Sequence, residues 1–271
     1  MNARAIHAIA AIARKEIEDH LRSGWVLAIA VTFAVFAVVI AFAGFGFTGS
    51  LQGAEEENAL LSLTSLVIYL IPLLGLLLGY DGIVGERERG TLDLLLSYPL
   101  DPVHLLLGKW LGLGAVLAGT LFLGLIAPIA LALGGGQSLV PWLVFAALSA
   151  WLGWIFVAVA LLLSTLGRER GRMLGLAIAL WVLLVVLFDL GLIGLLVATE
   201  GGVPPALISA LFYANPTSLF RFLNLTLLLS PEALAATGLG EAVPALWGLV
   251  TALLGWTVLP LVGAGMKIRR A

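Results

Sequence analysis

The sequence contains no cysteine and few charged residues. Of its 271 residues, 11% are charged and 61% are hydrophobic. Without cysteine, disulfide bonds, thiolate metal ligands and cysteine nucleophiles are all excluded. Soluble domains carry about 25% charged residues, and a water-soluble fold of this length could not bury so much apolar surface. The composition is therefore that of a membrane protein, whose apolar side chains are solvated by lipid.

The sequence also lacks a phosphate-binding loop of the pattern GxxxxGK[ST]. The nearest fragment, LGKW at residues 107–110, has neither the upstream glycine nor the following hydroxyl residue. We therefore expect this chain to bind no cofactor. If ATP drives the protein, ATP and magnesium must bind a partner subunit.

Side chains that bind metals or perform catalysis are nearly absent from the apolar stretches. The three histidines all lie outside these stretches: His7, His20 and His104. The three methionines lie at the N-terminus or at the ends of the stretches: Met1, Met173 and Met266. An intramembrane enzyme needs a nucleophile with its base, or paired carboxylates, and copper transfer needs soft ligands. We therefore expect no catalytic residue and no metal site.

Six apolar stretches are long enough to cross about 30 Å of hydrocarbon, which takes roughly 20 helical residues. The predicted spans are residues 25–47, 58–80, 105–133, 141–164, 173–197 and 243–266. The uncharged run from Trp110 to Gly167 is too long for one helix. The segment GGGQS at residues 134–138, followed by Pro141, divides it into two spans. The sequence thus predicts an all-α, polytopic membrane protein with a single domain over residues 1–271.

Lysine and arginine are distributed unevenly between the two sides of the predicted bundle. With six spans, 13 of the 14 basic residues fall on one side, which we call the basic end, and only Arg221 falls on the other. The positive-inside rule then predicts that both termini are cytoplasmic. We expect this helical bundle to lie in the inner membrane. The opposite end is predicted to be periplasmic.

Residues 3–22 precede the first span and read as an amphipathic helix on the inner membrane surface. Its apolar stripe consists of Ile6, Ile9, Ala10, Ala13, Ile17 and Leu21. The alternative is a basic tail that only sets the topology.

Residues 199–242, between spans five and six, are predicted to be periplasmic. Several prolines punctuate two short apolar stretches, residues 206–213 and 219–229, which are too short to span the bilayer. We expect two short outer helices that offer a docking surface. The predicted docking residues are Asn215, Pro216, Phe220 and Arg221. Alternatively, Arg221 pairs with Glu200 or Glu232.

Asp189 is the only carboxylate inside a predicted span, 16 residues beyond Met173. That separation is about 24 Å of helix, which places Asp189 in the outer part of the fifth span. We expect Asp189 either to line a cavity or pair with Arg221, or to be an acid tolerated near the interface.

The predicted cytoplasmic loop, residues 81–104, has the most distinctive pattern in the chain. The first part of the loop carries alternating negative and positive charges, which predict a solvated extension of the second span. These residues are Glu86, Arg87, Glu88 and Arg89. Gly90 permits a sharp turn. Asp101 and Pro102 predict the N-cap and first position of the third span.

A short amphipathic helix is predicted between that turn and the third span. Thr91 is its expected cap, Asp93 lies in its first turn, and Pro99 ends it. Its apolar face consists of Leu92, Leu95 and Leu96. Such a helix can dock in a groove of a soluble partner and push on two spans at once. The alternative is an ordinary loop whose leucines lie on the membrane surface.

The loop sequence GERERGTLDLLLSYPLDP resembles the first cytoplasmic loop of ABC-2-type permeases, and RKEIEDHLRSGW is similar to the N-terminal helix of that family. The resemblance implies a homodimer in the lipid bilayer that binds two cytoplasmic ABC ATPase subunits and no nucleic acid. It also implies that residues 86–100 form the ATPase interface as a coupling helix.

Within this family, YDGIVGERERGTLDLLLSYPLDP and FYANPTSLFRFLNL are similar to the permeases that serve copper-site maturation of nitrous oxide reductase. This similarity implies a NosF-like ATPase inside and a NosD-like accessory protein in the periplasm. The alternative is an ABC-2 exporter for a lipid, a drug or sodium, with the same architecture.

Overall fold

The computed structural model describes residues 3–46, 52–92, 101–200, 202–230, 234 and 245–269. All elements among these residues are helical, as the sequence predicts. The helices, numbered here in chain order, are α1 Ala3–Leu21, α2 Gly24–Gly46, α3 Gln52–Gly79, α4 Val84–Glu88, α5 Pro102–Gly134, α6 Leu139–Leu166, α7 Arg170–Trp181, α8 Phe188–Ala198, α9 Pro205–Tyr213, α10 Pro216–Leu228 and α11 Leu246–Ile268. A π-helical segment, Val182–Leu187, joins α7 to α8, so that these three elements form one continuous fifth helix.

Five helical stretches of the described residues are long and apolar enough to cross a membrane. They are Glu56–Glu88, Pro102–Gly134, Leu139–Leu166, Arg170–Ala198 and Leu246–Ile268. They match the second to sixth predicted spans within a few residues, except that the first continues through α4. Helix α2 covers 23 residues, but the structure describes an unbroken run of its side chains only over Ala28–Ala41, which is too short to test a span. The first predicted span therefore stays a prediction.

The predicted boundary between the third and fourth spans is confirmed. Helix α5 ends at Gly134 and α6 begins at Leu139. Gly136 has φ +80° in the intervening turn, a conformation that favours glycine. Ser138 caps α6, since its Oγ accepts a hydrogen bond from Val140 N at 3.3 Å. Polar turn chemistry therefore separates two helices that hydropathy alone would join.

The N-terminus of α5 also begins as predicted. Asp101 is its N-cap, with Oδ1 accepting a hydrogen bond from Val103 N at 3.0 Å, and Pro102 occupies the first turn. Arg269, just after α11, pairs with Asp101 at 2.8 Å. This pair ties the third helix to the sixth at the basic end.

Helices α3 and α6 form the centre of the bundle. A Cβ atom on Gly79 would lie 2.6 Å from Ala160 Cβ, so the two backbones approach more closely than a larger residue allows. Small residues commonly permit such close packing between membrane helices. Phe156, one turn before Ala160, is fully buried, and a Cβ atom on Gly75 would lie 2.9 Å from its Cβ.

Two short helices, α9 and α10, follow the fifth helix, which confirms the predicted pair. Each has a proline in its first turn, where the missing N–H costs no helical hydrogen bond. Helix α10 packs against α6 and α11 and buries most of its length, including Leu219 and Phe222. Its packing brings polar residues of the predicted outer segment into contact with the fifth helix.

Candidate functional site at the basic end

Helix α4 is the short element after the second span, and the fourth span holds its N-terminus. No side chain of its own caps α4. Instead, the backbone amides of Ile83 and Val84 both donate hydrogen bonds to Ser164 Oγ, each at 2.9 Å. Ser164 is a buried residue of α6. A single hydroxyl from another helix thus satisfies two amide groups that a helix start leaves unpaired.

A buried ion-pair cluster joins α4 to α1 and α5. Lys109 Nζ lies 2.6 Å from Glu16 Oε1 and 2.7 Å from Glu86 Oε1. The three side chains are 3%, 9% and 5% exposed, respectively. Removing one partner of a buried ion pair costs about 3–5 kcal/mol, because the remaining charge stays buried without compensation. The cluster therefore fixes α4 relative to both helices.

Close packing of α1 on α5 brings Glu16 to this cluster. A Cβ atom on Gly108 would lie 2.7 Å from Ile12 Cβ, and one on Gly112 would lie 2.7 Å from Ala13 O. Only glycine leaves room for α1 at these two positions. Since Ile12 and Glu16 are four residues apart, both face α5.

The predicted apolar stripe of α1 is wrong in one respect, because it treats two faces as one. Ile9 is buried in the protein, whereas Ile6 and Leu21 are 50% and 67% exposed. One face of α1 therefore packs on α5, and an adjacent apolar face is left exposed. The membrane-surface role of that second face stays a prediction.

The fifth helix is also tied to α4 and the turn before it. Arg170 forms a salt bridge with Asp81, and its backbone N–H donates to Glu88 Oε1 at 2.7 Å. Arg87 donates from Nη1 to Gly167 O at 2.7 Å, in the connection before α7. Arg170 thus ties the start of the fifth helix to α4 and the turn before it, and Arg87 ties α4 to the connection before α7.

The prediction of a solvated extension at residues 86–89 is wrong for Glu86, which is buried by its pairing with Lys109. The chain turns between α3 and α4 and brings Glu86 inward. The sharp turn is confirmed, since Gly90 has φ +67°. Thr91 Oγ1 donates to Glu86 O at 3.2 Å, and Leu92 is buried. The rest of the predicted coupling helix, with Asp93, Leu95, Leu96 and Pro99, lies outside the described residues.

A polar cavity of about 200 Å³ lies beside the ion-pair cluster. Charged side chains of both signs line it: Lys15, Glu16, Asp19, Asp81, Glu86, Arg89 and Lys109. Among the residues that the structure describes, no His, Asp and Glu side chains form a group of three that could hold a metal ion.

Asp101 lies outside the spans, and the pKa of its carboxyl is lowered. The hydrogen bond from Val103 N, followed by the one from Arg269, lowers the pKa of the Asp101 carboxyl. Both interactions favour its ionised form. The pairing of α5 with α11 at the basic end is therefore strongest when Asp101 is ionised.

A second polar cluster lies at the opposite end. Asp189 Oδ2 is 2.7 Å from Arg221 Nη2. Arg221 therefore pairs with Asp189 in the structure, which is one of the predicted alternatives. Asn215 is fully buried, accepts hydrogen bonds from Thr217, and donates to Leu184 O at 2.7 Å.

This burial changes the predicted docking surface. Asn215, Pro216 and Phe220 are all buried within the chain. They hold α10 in place and present no surface to a partner. Of the four predicted docking residues, only Arg221 keeps substantial exposure, at 38% of its side chain. A docking role for Arg221 stays a prediction.

Sequence reasoning missed Glu16 and Lys109 as site residues. Each carries a signal in retrospect. Glu16 continues the helical spacing of Ile9 and Ile12, although it is charged. Lys109 is an isolated cation within the apolar stretch LLLGKWLGLG, where a membrane helix tolerates a charge only with a partner.

Comparison with known proteins is consistent with this architecture. A family profile described as "ABC-2 family transporter protein" matches residues 10–266. The chain belongs to the ABC-2 family of transporter proteins. This match confirms the resemblance of the loop sequence. Together with the five apolar helices, it identifies the chain as a multi-pass membrane permease.

Two curated relatives align over nearly their whole length. One, from Stutzerimonas stutzeri, is 42% identical over 270 residues, covering 96% of this chain and 97% of the relative. The other, from Pseudomonas aeruginosa, is 40% identical over 269 residues, covering 95% and 94%. Each is described as "Probable ABC transporter permease protein NosY". The chain is therefore similar to NosY permeases throughout, as the loop and the outer segment predict.

Proposed function

We propose that this permease receives the force of ATP hydrolysis from a separate cytoplasmic ATPase through α4 and residues 86–100. The protein acts as a homodimer in the inner membrane, with six spans and both termini cytoplasmic. Its partners are two NosF-like ATPase subunits inside and a NosD-like protein in the periplasm. The motion serves copper-site maturation of nitrous oxide reductase. The similarity to NosY permeases along the whole chain supports this assignment.

The observation that carries the coupling proposal is the attachment of α4. Lys109 holds Glu86 of α4 and Glu16 of α1 in one buried cluster. Ser164 and Arg170 add contacts to the fourth and fifth helices. A push on α4 would therefore act on α1 and on the third, fourth and fifth helices together, because buried ion pairs and hydrogen bonds resist separation.

The proposed cargo is not copper itself. Copper transfer through a membrane subunit needs soft ligands along the path. The chain has no cysteine, and none of its histidines lies in a predicted span. We propose that the permease passes motion to its periplasmic partner, or exports another compound. Copper flux through vesicles that contain only the permease and its ATPase would contradict this part of the proposal.

The test is a deletion of the gene in its native host, followed by measurement of copper in purified nitrous oxide reductase. We expect copper-deficient reductase, restored by the wild-type gene and not by Glu86→Gln. The matched control is Glu18→Gln, at an exposed glutamate of α1 whose partner is Arg14. Fully loaded reductase in the deletion strain would refute the maturation role. It would favour the alternative of a lipid, drug or sodium exporter.

A further inference from the structure

The fifth helix, Arg170–Ala198, is lightly packed within this chain. Its described buried side chains are Met173, Ala177 and Val185, and none of the residues in α8 is buried. Elements with few buried contacts move at a low cost in free energy. Little apolar packing within the chain therefore opposes a displacement of this helix.

Polar contacts attach the helix at the basic end. Arg170 forms its salt bridge with Asp81, in the turn before α4, and its amide donates to Glu88 at the end of α4. Both acceptors belong to the segment that receives the push in the proposed function. A displacement of α4 therefore pulls on the first residue of the fifth helix.

Other polar contacts attach the helix to α10 near its opposite end. In the π-helical segment, the amide of Phe188 donates to Leu183 O, and Leu184 O accepts from Asn215 Nδ2. One turn further, Asp189 pairs with Arg221 of α10. Backbone and charged groups at membrane depth need such partners, because lipid supplies none. The bond from Asn215 to Leu184 O and the pairing of Arg221 with Asp189 therefore couple α10 to the fifth helix.

A third contact lies between these attachments. Trp181 Nε1 donates to Tyr69 O of α3 at 2.9 Å. Trp181 is 11 residues from Arg170 and 8 from Asp189 along the chain. Because this contact holds the middle of the helix to the central bundle, a push at one end is expected to tilt the helix about Trp181.

We infer that the fifth helix is the lever that carries displacement of α4 across the membrane to α10. Arg170 and Asp189 are its two points of attachment. They are 19 residues apart, which is roughly 28 Å at 1.5 Å per residue and close to the thickness of the hydrocarbon core. This inference rests on the proposed function, since it requires an ATPase that moves α4.

The test measures one distance within the reconstituted complex of permease and ATPase in lipid nanodiscs. Because the chain has no cysteine, cysteines introduced at Val197 and Val140 are its only labelling sites. Both positions are exposed, one at the end of α8 and one at the start of α6. Spin labels there report the position of the fifth helix against the bundle. Excess unlabelled chain ensures that the distance is measured within one copy.

We expect the distance between the labels to change between the nucleotide-free and ATP-bound complexes. Arg170→Gln and Asp81→Asn should each abolish this change, while the variants still bind the ATPase. Arg172→Gln is the matched control, because Arg172 is exposed on the same helix and forms no ion pair among the described residues. The control should keep the full change, and Arg170→Lys should restore part of it.

Two results would overturn the inference and leave the proposed function intact. In one, the permease stimulates ATP hydrolysis and the wild-type distance stays constant. In the other, the full change persists in both Arg170→Gln and Asp81→Asn. Failure of the permease to bind the ATPase or to alter its hydrolysis rate would refute the proposed function, and the inference with it.

Discussion

Lys109 Nζ lies 2.7 Å from Glu86 Oε1, and this contact joins the third helix to the short helix that follows the second. The same ammonium group binds Glu16 of α1. One buried cation therefore compensates two buried carboxylates from separate elements. The stability of the basic end depends on keeping these charges paired.

The first prediction concerns the loss of that cation. Lys109→Met should lower the free energy of unfolding by about 3–5 kcal/mol, because Glu16 and Glu86 would remain buried without a partner. Thermal unfolding of the purified protein in detergent measures the effect. Lys15→Met is the control, since its pairing with Asp19 is exposed. The triple variant with Glu16→Gln and Glu86→Gln should recover much of the loss. Equal melting temperatures for Lys109→Met and the wild type would contradict the prediction.

The second prediction concerns the approach of α1 to α5. Gly112→Ala should destabilise the protein by about 1–3 kcal/mol, because a side chain is forced into a filled site. The added Cβ would lie 2.7 Å from Ala13 O, a backbone atom that cannot move aside on its own. Gly119→Ala is the control, since nothing lies within 4 Å of its Cβ position on the same helix. Limited proteolysis in the N-terminal segment should show earlier cleavage for Gly112→Ala alone.

The third prediction concerns the hydroxyl group that caps α4. Ser164→Ala should cost about 1–3 kcal/mol, because it removes the acceptor of two amide groups. It should also reduce stimulation of the ATPase in the reconstituted complex, since α4 loses its attachment to the fourth span. Ser65→Ala is the control, because its hydroxyl bonds only to its own helix, at Leu61 O. Unchanged stability and stimulation in Ser164→Ala would show that α4 does not depend on this contact.

The fourth prediction concerns pH. The pKa of Asp101 is lowered in the folded protein by Val103 N and Arg269. Its contribution to stability is therefore complete above the unfolded pKa, about 3.9. That contribution is lost as the pH falls through the lower folded pKa. Asp101→Asn keeps a good N-cap and removes the charge. The stability difference between wild type and this variant, measured by thermal unfolding, should shrink as the pH falls from 6 towards 3. A constant difference would contradict the assignment.

Local chemistry allowed much of the fold to be predicted from sequence. Hydropathy gives the positions of the long helices within a few residues. Asp101 and Pro102 predict the start of α5, and the glycine-rich turn predicts the boundary between α5 and α6. These features depend on residues close together in the chain. They are therefore visible without knowledge of the tertiary structure.

The candidate site could not be predicted in the same way, because it depends on contacts between distant residues. Glu16 and Lys109 are 93 residues apart, and their meeting depends on the space that Gly108 and Gly112 leave for α1. Asn215 shows the converse error. A polar residue beside proline in an outer segment suggests a docking surface, yet its amide is buried against a carbonyl group of the fifth helix.

The pairing of Glu16 with Lys109 also sets an order for biogenesis. The ribosome makes α1 before α5, and domains acquire contacts as later segments emerge. Glu16 can form its ion pair only after the third helix is synthesised, since Lys109 follows 93 residues later. Until then the carboxylate of Glu16 lacks the cation that pairs with it in the folded protein. The exposed apolar face of α1, with Ile6 and Leu21, would hold the nascent chain at the bilayer during this interval.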